Sequence, residues 1–275
     1  MHPDFEKLTL LSPMKRKLFI AIACITLGCN QKPDPLALPP VPPGSSVALY
    51  TDGKGNHEMV SQEDFKIVSF PKDASISTPP GATFTVKFPD GSQVELNTTS
   101  CIYVHEYSAT SRSIELSGEA FFHIATNPAA PFLVKTVDAT ITAMGTSFNV
   151  LSYRDEPERK TTLVDGVLRI TSGTDTLSLK PGQETITNKK LMAVKADLDG
   201  SLAWKNDFYN VSNPGSLIRQ ISRWHGLTPV FNNAPPSSSF EGKIPRSSNL
   251  PDILKILEAN SIILKQDTER MLLVY

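Results

Sequence analysis

Residues 116–150 constrain the fold most, because a two-residue period there is broken only where the sequence itself forbids a strand. Ile114, Leu116, Ala120, Phe122 and Ile124 fall on one parity, and Glu115, Ser117, Glu119 and His123 on the other. Successive side chains of a strand point to opposite faces, so this is the pattern of a half-buried strand. Phe121 alone breaks it. Asn127-Pro128-Ala129-Ala130-Pro131 cannot continue a ladder, because proline lacks the N–H, and predicts a turn before Phe132, Val134 and Thr136 resume the alternation. A strand through Ile141 and Ala143 follows. Gly145 then predicts a bulge or tight bend before residues 147–150 re-enter the sheet.

Short strands extend on both sides of this stretch. Val47 and Leu49 ahead of Asp52-Gly53-Lys54-Gly55-Asn56 predict a hairpin, and Phe65, Ile67, Ser69 and Phe70 another strand. The same patterning predicts strands over residues 84–88, 94–96, 102–104, Leu163 with 167–170, 177–179 and 185–186. Turn signals at Pro89-Asp90-Gly91, Asp165-Gly166, Ser172-Gly173 and Pro181-Gly182 recur at intervals suited to a β-sandwich.

The composition changes after Asp199-Gly200. Residues 208–211 read as a strand, and Asn213-Pro214 as an N-cap with proline opening a helix. Leu217, Ile218 and Ile221 form the apolar face of that helix, which ends near Gly226. Residues 228–231 are strand again. The pattern then repeats, with a strand over 240–244, a helix carrying Leu250, Ile253, Leu254 and Leu257, and closing strands over 262–265 and 271–275. Two βαβ-like halves predict a small α/β domain after a mainly β one, and residues 271–275 are expected to be an exposed edge.

The wording SGEAFFHIATNPAAPFLVKT, followed by MGTSFNV, closely resembles the FecR family of bacterial envelope regulators. The flanking motifs Thr78-Pro79-Pro80-Gly81, FPDGSQVELN at residues 88–97, TTLVDG at 161–166 and LKPGQ at 179–183 match the family's in order. The resemblance implies a mainly β fold: a jelly-roll-like β-sandwich over residues 46–198 and a C-terminal α/β domain over 203–275. That second domain is similar to the short signalling domain of TonB-dependent transporters and secretins. The implied function is relay of a signal from a TonB-dependent transporter to a sigma factor, with the transporter's signalling domain as partner. Family members typically reach the sigma factor through a cytoplasmic segment and one membrane helix. Only about seventeen residues precede the apolar run here, so direct contact with a sigma factor is not expected.

Lys15-Arg16-Lys17, the apolar run 18–27 and the small residues before Cys29 read as an export signal over residues 1–28, with Met14 as an alternative start. As a helix that run reaches only about 16 Å, against roughly 30 Å for a bilayer core, so a signal is expected rather than a span. Cys29 after Leu27-Gly28 resembles a lipoprotein cysteine. Lipidation there would make the chain a membrane-anchored, periplasm-facing lipoprotein. Six prolines within residues 33–44 predict an extended tether over 29–45. Cys24 would leave with the signal, and no disulfide framework is expected.

Catalytic and metal readings find no support. His2, His57, His105, His123 and His225 have no metal-ligand spacing, and Glu119 and His123 lie about 13 Å apart along one strand. Asp155, Glu156 and Glu158 beside Pro157 read as solvated surface, and the Trp224-His225 pair as a helix end. No nucleophile elbow, phosphate loop or dinucleotide fingerprint occurs, so neither enzyme nor cofactor is expected. A net charge of −1 argues against a nucleic-acid face. The alternative to a regulator is a lipoprotein scaffold that binds protein or glycan.

Overall fold

The computed structural model describes residues 38–65, 70–232, 242–267 and 270–275. Fifteen strands run in order: β1 Val47–Thr51, β2 His57–Ser61, β3 Ser75–Ser77, β4 Phe84–Lys87, β5 Gln93–Leu96, β6 Cys101–Tyr107, β7 Arg112–His123, β8 Phe132–Lys135, β9 Thr140–Ala143, β10 Ser147–Ser152, β11 Lys160–Asp165, β12 Leu168–Ser172, β13 Asp175–Leu179, β14 Gln183–Ile186 and β15 Val194–Lys195. Among the described residues 41% are strand and 13% helix, so the fold is mainly β.

The long alternating strand β7 belongs to two layers. Its first half pairs β6 on one side and β8 on the other, giving the order β2-β1-β3-β6-β7-β8-β9-β12-β13. Its second half pairs β5 and β10, giving β4-β5-β7-β10-β11-β14-β15. The change occurs at Gly118, whose φ is +108°. A Cβ there would sit 2.6 Å from the Cα of Ser100, so only glycine permits the crossing.

The inward parity of both layers meets in one core. Ile76, Ile102, Ile114, Val134, Ile141 and Ile170 from the first layer close on Phe84, Val94, Leu96, Phe122, Phe148 and Leu163 from the second. Phe122 and Phe148 stack at 4.8 Å, and Phe88 meets Phe132 edge-on at 5.8 Å. Burying each such side chain stabilises by about 1.5–3 kcal/mol, so a charge on this parity would be strongly destabilising.

The expected hairpin at residues 52–56 forms between β1 and β2. The 127–131 turn forms too, but β8 returns as the parallel neighbour of β7, with Arg112 opposite Phe132. A parallel pair needs a crossing connection rather than a tight turn. Arg112, only 2% exposed, holds that crossing. Its Nε donates to the Ala130 carbonyl at 2.8 Å and its Nη1 to Asp90 Oδ2 at 2.5 Å, with the carbonyls of Ala125 and Asn127 also in reach. Of the short strand expected at 65–70, residues 66–69 lie outside the described residues.

The Pro-rich stretch, expected to be a spacer through residue 45, is already anchored at its end. Leu38 is buried, and the N–H groups of Val41 and Gly44 donate to the carbonyls of Pro80 and Gly81.

The C-terminal part contains α1 Leu198–Ser201, a 3-10 turn over Ala203–Asn206, α2 Pro214–His225, β16 Thr228–Phe231, α3 Leu250–Ala259, β17 Leu264–Gln266 and β18 Met271–Val274. Asn213 caps α2 by accepting from the Ser216 N–H, and Gly226 ends it in the left-handed conformation. Asn249 caps α3 in the same way. Leu217, Ile218, Ile221 and Trp224 pack with Ile253, Leu257, Leu272 and Val274 in a second core.

Two expectations are corrected here. The residues expected to open each half as strands are reduced to one bridge between Phe208 and Pro245, with 240 and 241 outside the described residues. The Gln220 side chain bonds both the N–H and the carbonyl of Asn210, taking the place of a ladder partner. The second correction concerns β18, which is the middle strand, parallel to β16 and antiparallel to β17, and not an edge.

Candidate functional site

Alternation puts polar residues on the outward parity of the second layer, and the C-terminal part covers them. Glu119 and Phe121 on β7, Asn149 and Leu151 on β10, and Lys160 and Thr162 on β11 share this face by register. Phe121, the residue that breaks the sequence pattern, lies under the Lys205 ammonium at 3.5 Å, and that ammonium also donates to Glu95 Oε1 at 2.7 Å.

Glu119 and two amides form the centre of the contact. Asn97 Nδ2 donates to one carboxylate oxygen at 2.7 Å, and Asn149 Nδ2 to the other at 2.9 Å. The amide oxygens face the C-terminal part. Asn97 Oδ1 accepts from Arg246 Nη2 at 2.8 Å, and Asn149 Oδ1 from Trp204 Nε1 at 3.2 Å. Guanidinium and indole N–H groups can only donate, so the amides must be oriented this way round. Arg246 is clamped further by the Trp204 carbonyl and by the Trp224 ring, 3.7 Å from its guanidinium carbon.

A second contact lies beside it. Arg223 on α2 is 5% exposed, donates to Asp155 Oδ2 at 2.7 Å and to Glu156 Oε1, and lies 4.0 Å over the Tyr153 ring. Ser216 donates to the other Glu156 oxygen at 2.7 Å. Asp155 and Glu156, expected as solvated surface, are thus an arginine clamp, and Glu156 is buried. Glu158 pairs with Lys189 and Lys160. Between these contacts lies a cleft of about 360 Å³ bounded by Glu119, Asn149, Glu156, Lys160, Trp204 and Gln220.

Burial and charge act in opposite directions on these groups. Burial raises the Glu119 carboxyl above its ordinary range despite the amides and the two arginines. Burial would lower Arg223, but Glu156 and Asp155 outweigh it and raise it. Arg246 is lowered by burial. The His225 imidazole, at the end of α2, is lowered by burial and by Arg246.

The remaining sequence candidates do not converge here. Cys29 lies outside the described residues. His105 meets Glu115 at 3.2 Å and His123 meets the Ser147 hydroxyl at 2.9 Å, each on its own. Among the described residues, no three His, Cys, Asp or Glu side chains are grouped to hold a metal, and no helix is long and apolar enough to cross a membrane. Sequence reading missed Arg112, Trp204 and Arg246. Asn97, Glu119 and Asn149 all stand inside the quoted motifs, the one signal that could have singled them out.

Known proteins match on both sides of this contact. A family model described as FecR protein matches residues 74–169, and one described as FecR, C-terminal, matches residues 213–267. No curated protein sequence matches the chain. Two crystal structures of a protein provisionally described as an anti-sigma factor from Parabacteroides distasonis superpose with a TM-score of 0.64 at 24% identity. They cover 73% of this chain and 98% and 97% of their own. At this identity the likeness establishes a shared fold.

Proposed function

The chain belongs to the FecR family, and from that membership we propose that it is an anti-sigma-type regulator of the cell envelope, relaying the state of a TonB-dependent transporter to a sigma factor. The observation that carries this reading is that both family segments occur in one chain and are joined by the Arg223–Glu156 and Arg246–Asn97 contacts. The description of the Parabacteroides protein as an anti-sigma factor supports it. Cys29 carries lipid and residues 29–45 join it to two modules, 46–198 and 203–275. The second of these meets the transporter's signalling domain.

The test is transcriptional. Removing the gene should change transcripts of the sigma-dependent genes, measured with and without the transporter's substrate. Unchanged transcripts in both conditions would rule the reading out. The cleft, bounded by carboxylates, amides and hydroxyls, favours the second reading of a glycan-binding lipoprotein. In that case oligosaccharides would bind the chain while transcription stayed constant.

A further inference from the structure

We propose that Asn97, Glu119 and Asn149 form a releasable latch, from which the C-terminal part lifts off the sandwich as a body while both cores stay folded. The two cores are separate clusters with no residue in common. What joins them near the latch is polar: Arg246 and Trp204 donate to the two amides, Arg223 meets Asp155 and Glu156, and Ser201 meets Thr162 and Glu184. Each of these groups has water as an alternative partner. Separation therefore exchanges hydrogen bonds rather than opening an apolar core, and the net energy of such exchanges is small. The aromatic rings at the seam, Phe121 under Lys205 and Tyr153 under Arg223, are each capped by a cation rather than packed into either core.

The latch is all-or-none by its donor inventory. Arg246 and Trp204 can only donate, so both amide oxygens must face them and both amide N–H groups must face residue 119. Only a carboxylate accepts on both of its oxygens. A glutamine at 119 offers one oxygen and one NH2 group, so one asparagine must turn away, presenting its own NH2 to a donor of the C-terminal part. Where Asn97 is the one that turns, the Thr98 N–H, which donates to Asn97 Oδ1 at 2.8 Å, loses its acceptor.

The test uses the full chain and two variants, Glu119→Gln on the sandwich side and Trp204→Phe on the other, the latter keeping an aromatic ring while removing the indole N–H together with its five-membered ring. Small-angle scattering and amide hydrogen exchange are measured on each. The expected result is a larger radius of gyration and about tenfold faster exchange at Thr98, with residues 114–116 of β7 and 217–224 of α2 exchanging as in the parent. An unchanged radius and unchanged Thr98 exchange in both variants would overturn the proposal. So would parallel loss of protection in β7 and α2, because docking would then be part of global folding.

Discussion

Arg246 Nη2 donates to Asn97 Oδ1 at 2.8 Å, joining residues 149 apart in sequence. Asn97 follows strand β5 and Arg246 follows the Phe208–Pro245 bridge, so one bond ties together the two segments matched by the family models.

The Arg223 clamp gives a prediction with a sign. Arg223→Leu leaves Glu156 buried without its counter-charge and should cost about 3–5 kcal/mol, whereas Arg223→Leu with Glu156→Leu should recover much of that loss. Denaturant unfolding of the two variants measures the difference. Equal losses in both would mean the pair contributes only through shape.

Arg112 makes a comparable prediction in the sandwich. Arg112→Leu frees the carbonyls that hold the β7 to β8 crossing and should cost about 3–5 kcal/mol, while Asp90→Asn should cost less, because Asp90 is 24% exposed and its amide replacement still accepts a bond. Thermal melts of both variants rank them, and a milder loss for Arg112→Leu would contradict the role given to it.

How much of this was legible in the sequence follows from range. The hairpin at 52–56, strand β7, and the α2 ends at Asn213-Pro214 and Gly226 are set by neighbours a few residues away, and the sequence carries those signals in place. Glu119 reads as solvent-facing because its parity is polar. Parity says which face a residue takes but not what covers that face. The same limit hid Glu156, whose partner Arg223 lies 67 residues later, and Arg112, whose partners are mostly backbone carbonyls with no side-chain signature. The central place of β18 depends on a parallel pairing with β16 that alternation does not encode.

His225 predicts a pH dependence. Its folded pKa lies below the ordinary 6.5, owing to burial and then Arg246, so the unfolded chain binds the proton more readily. The stability it contributes is fully present above pH 6.5 and is lost as pH falls from there toward the folded value. Melting temperature should drop between pH 7.5 and 5.5, and His225→Gln should flatten that drop. An identical drop in the variant would assign it to other groups.

Cys29→Ser should move the protein from the membrane to the soluble fraction of cells, because a lipidated cysteine is the proposed anchor. Unchanged retention in fractionation would remove lipid from the account.

The most direct test of the signalling role is calorimetric titration of the purified chain with the periplasmic signalling domain of its transporter. The chain should bind, and a version ending at Asp199 should keep the β circular dichroism of the sandwich and bind no longer. Binding retained by the truncated chain, or absent from the full one, would contradict it.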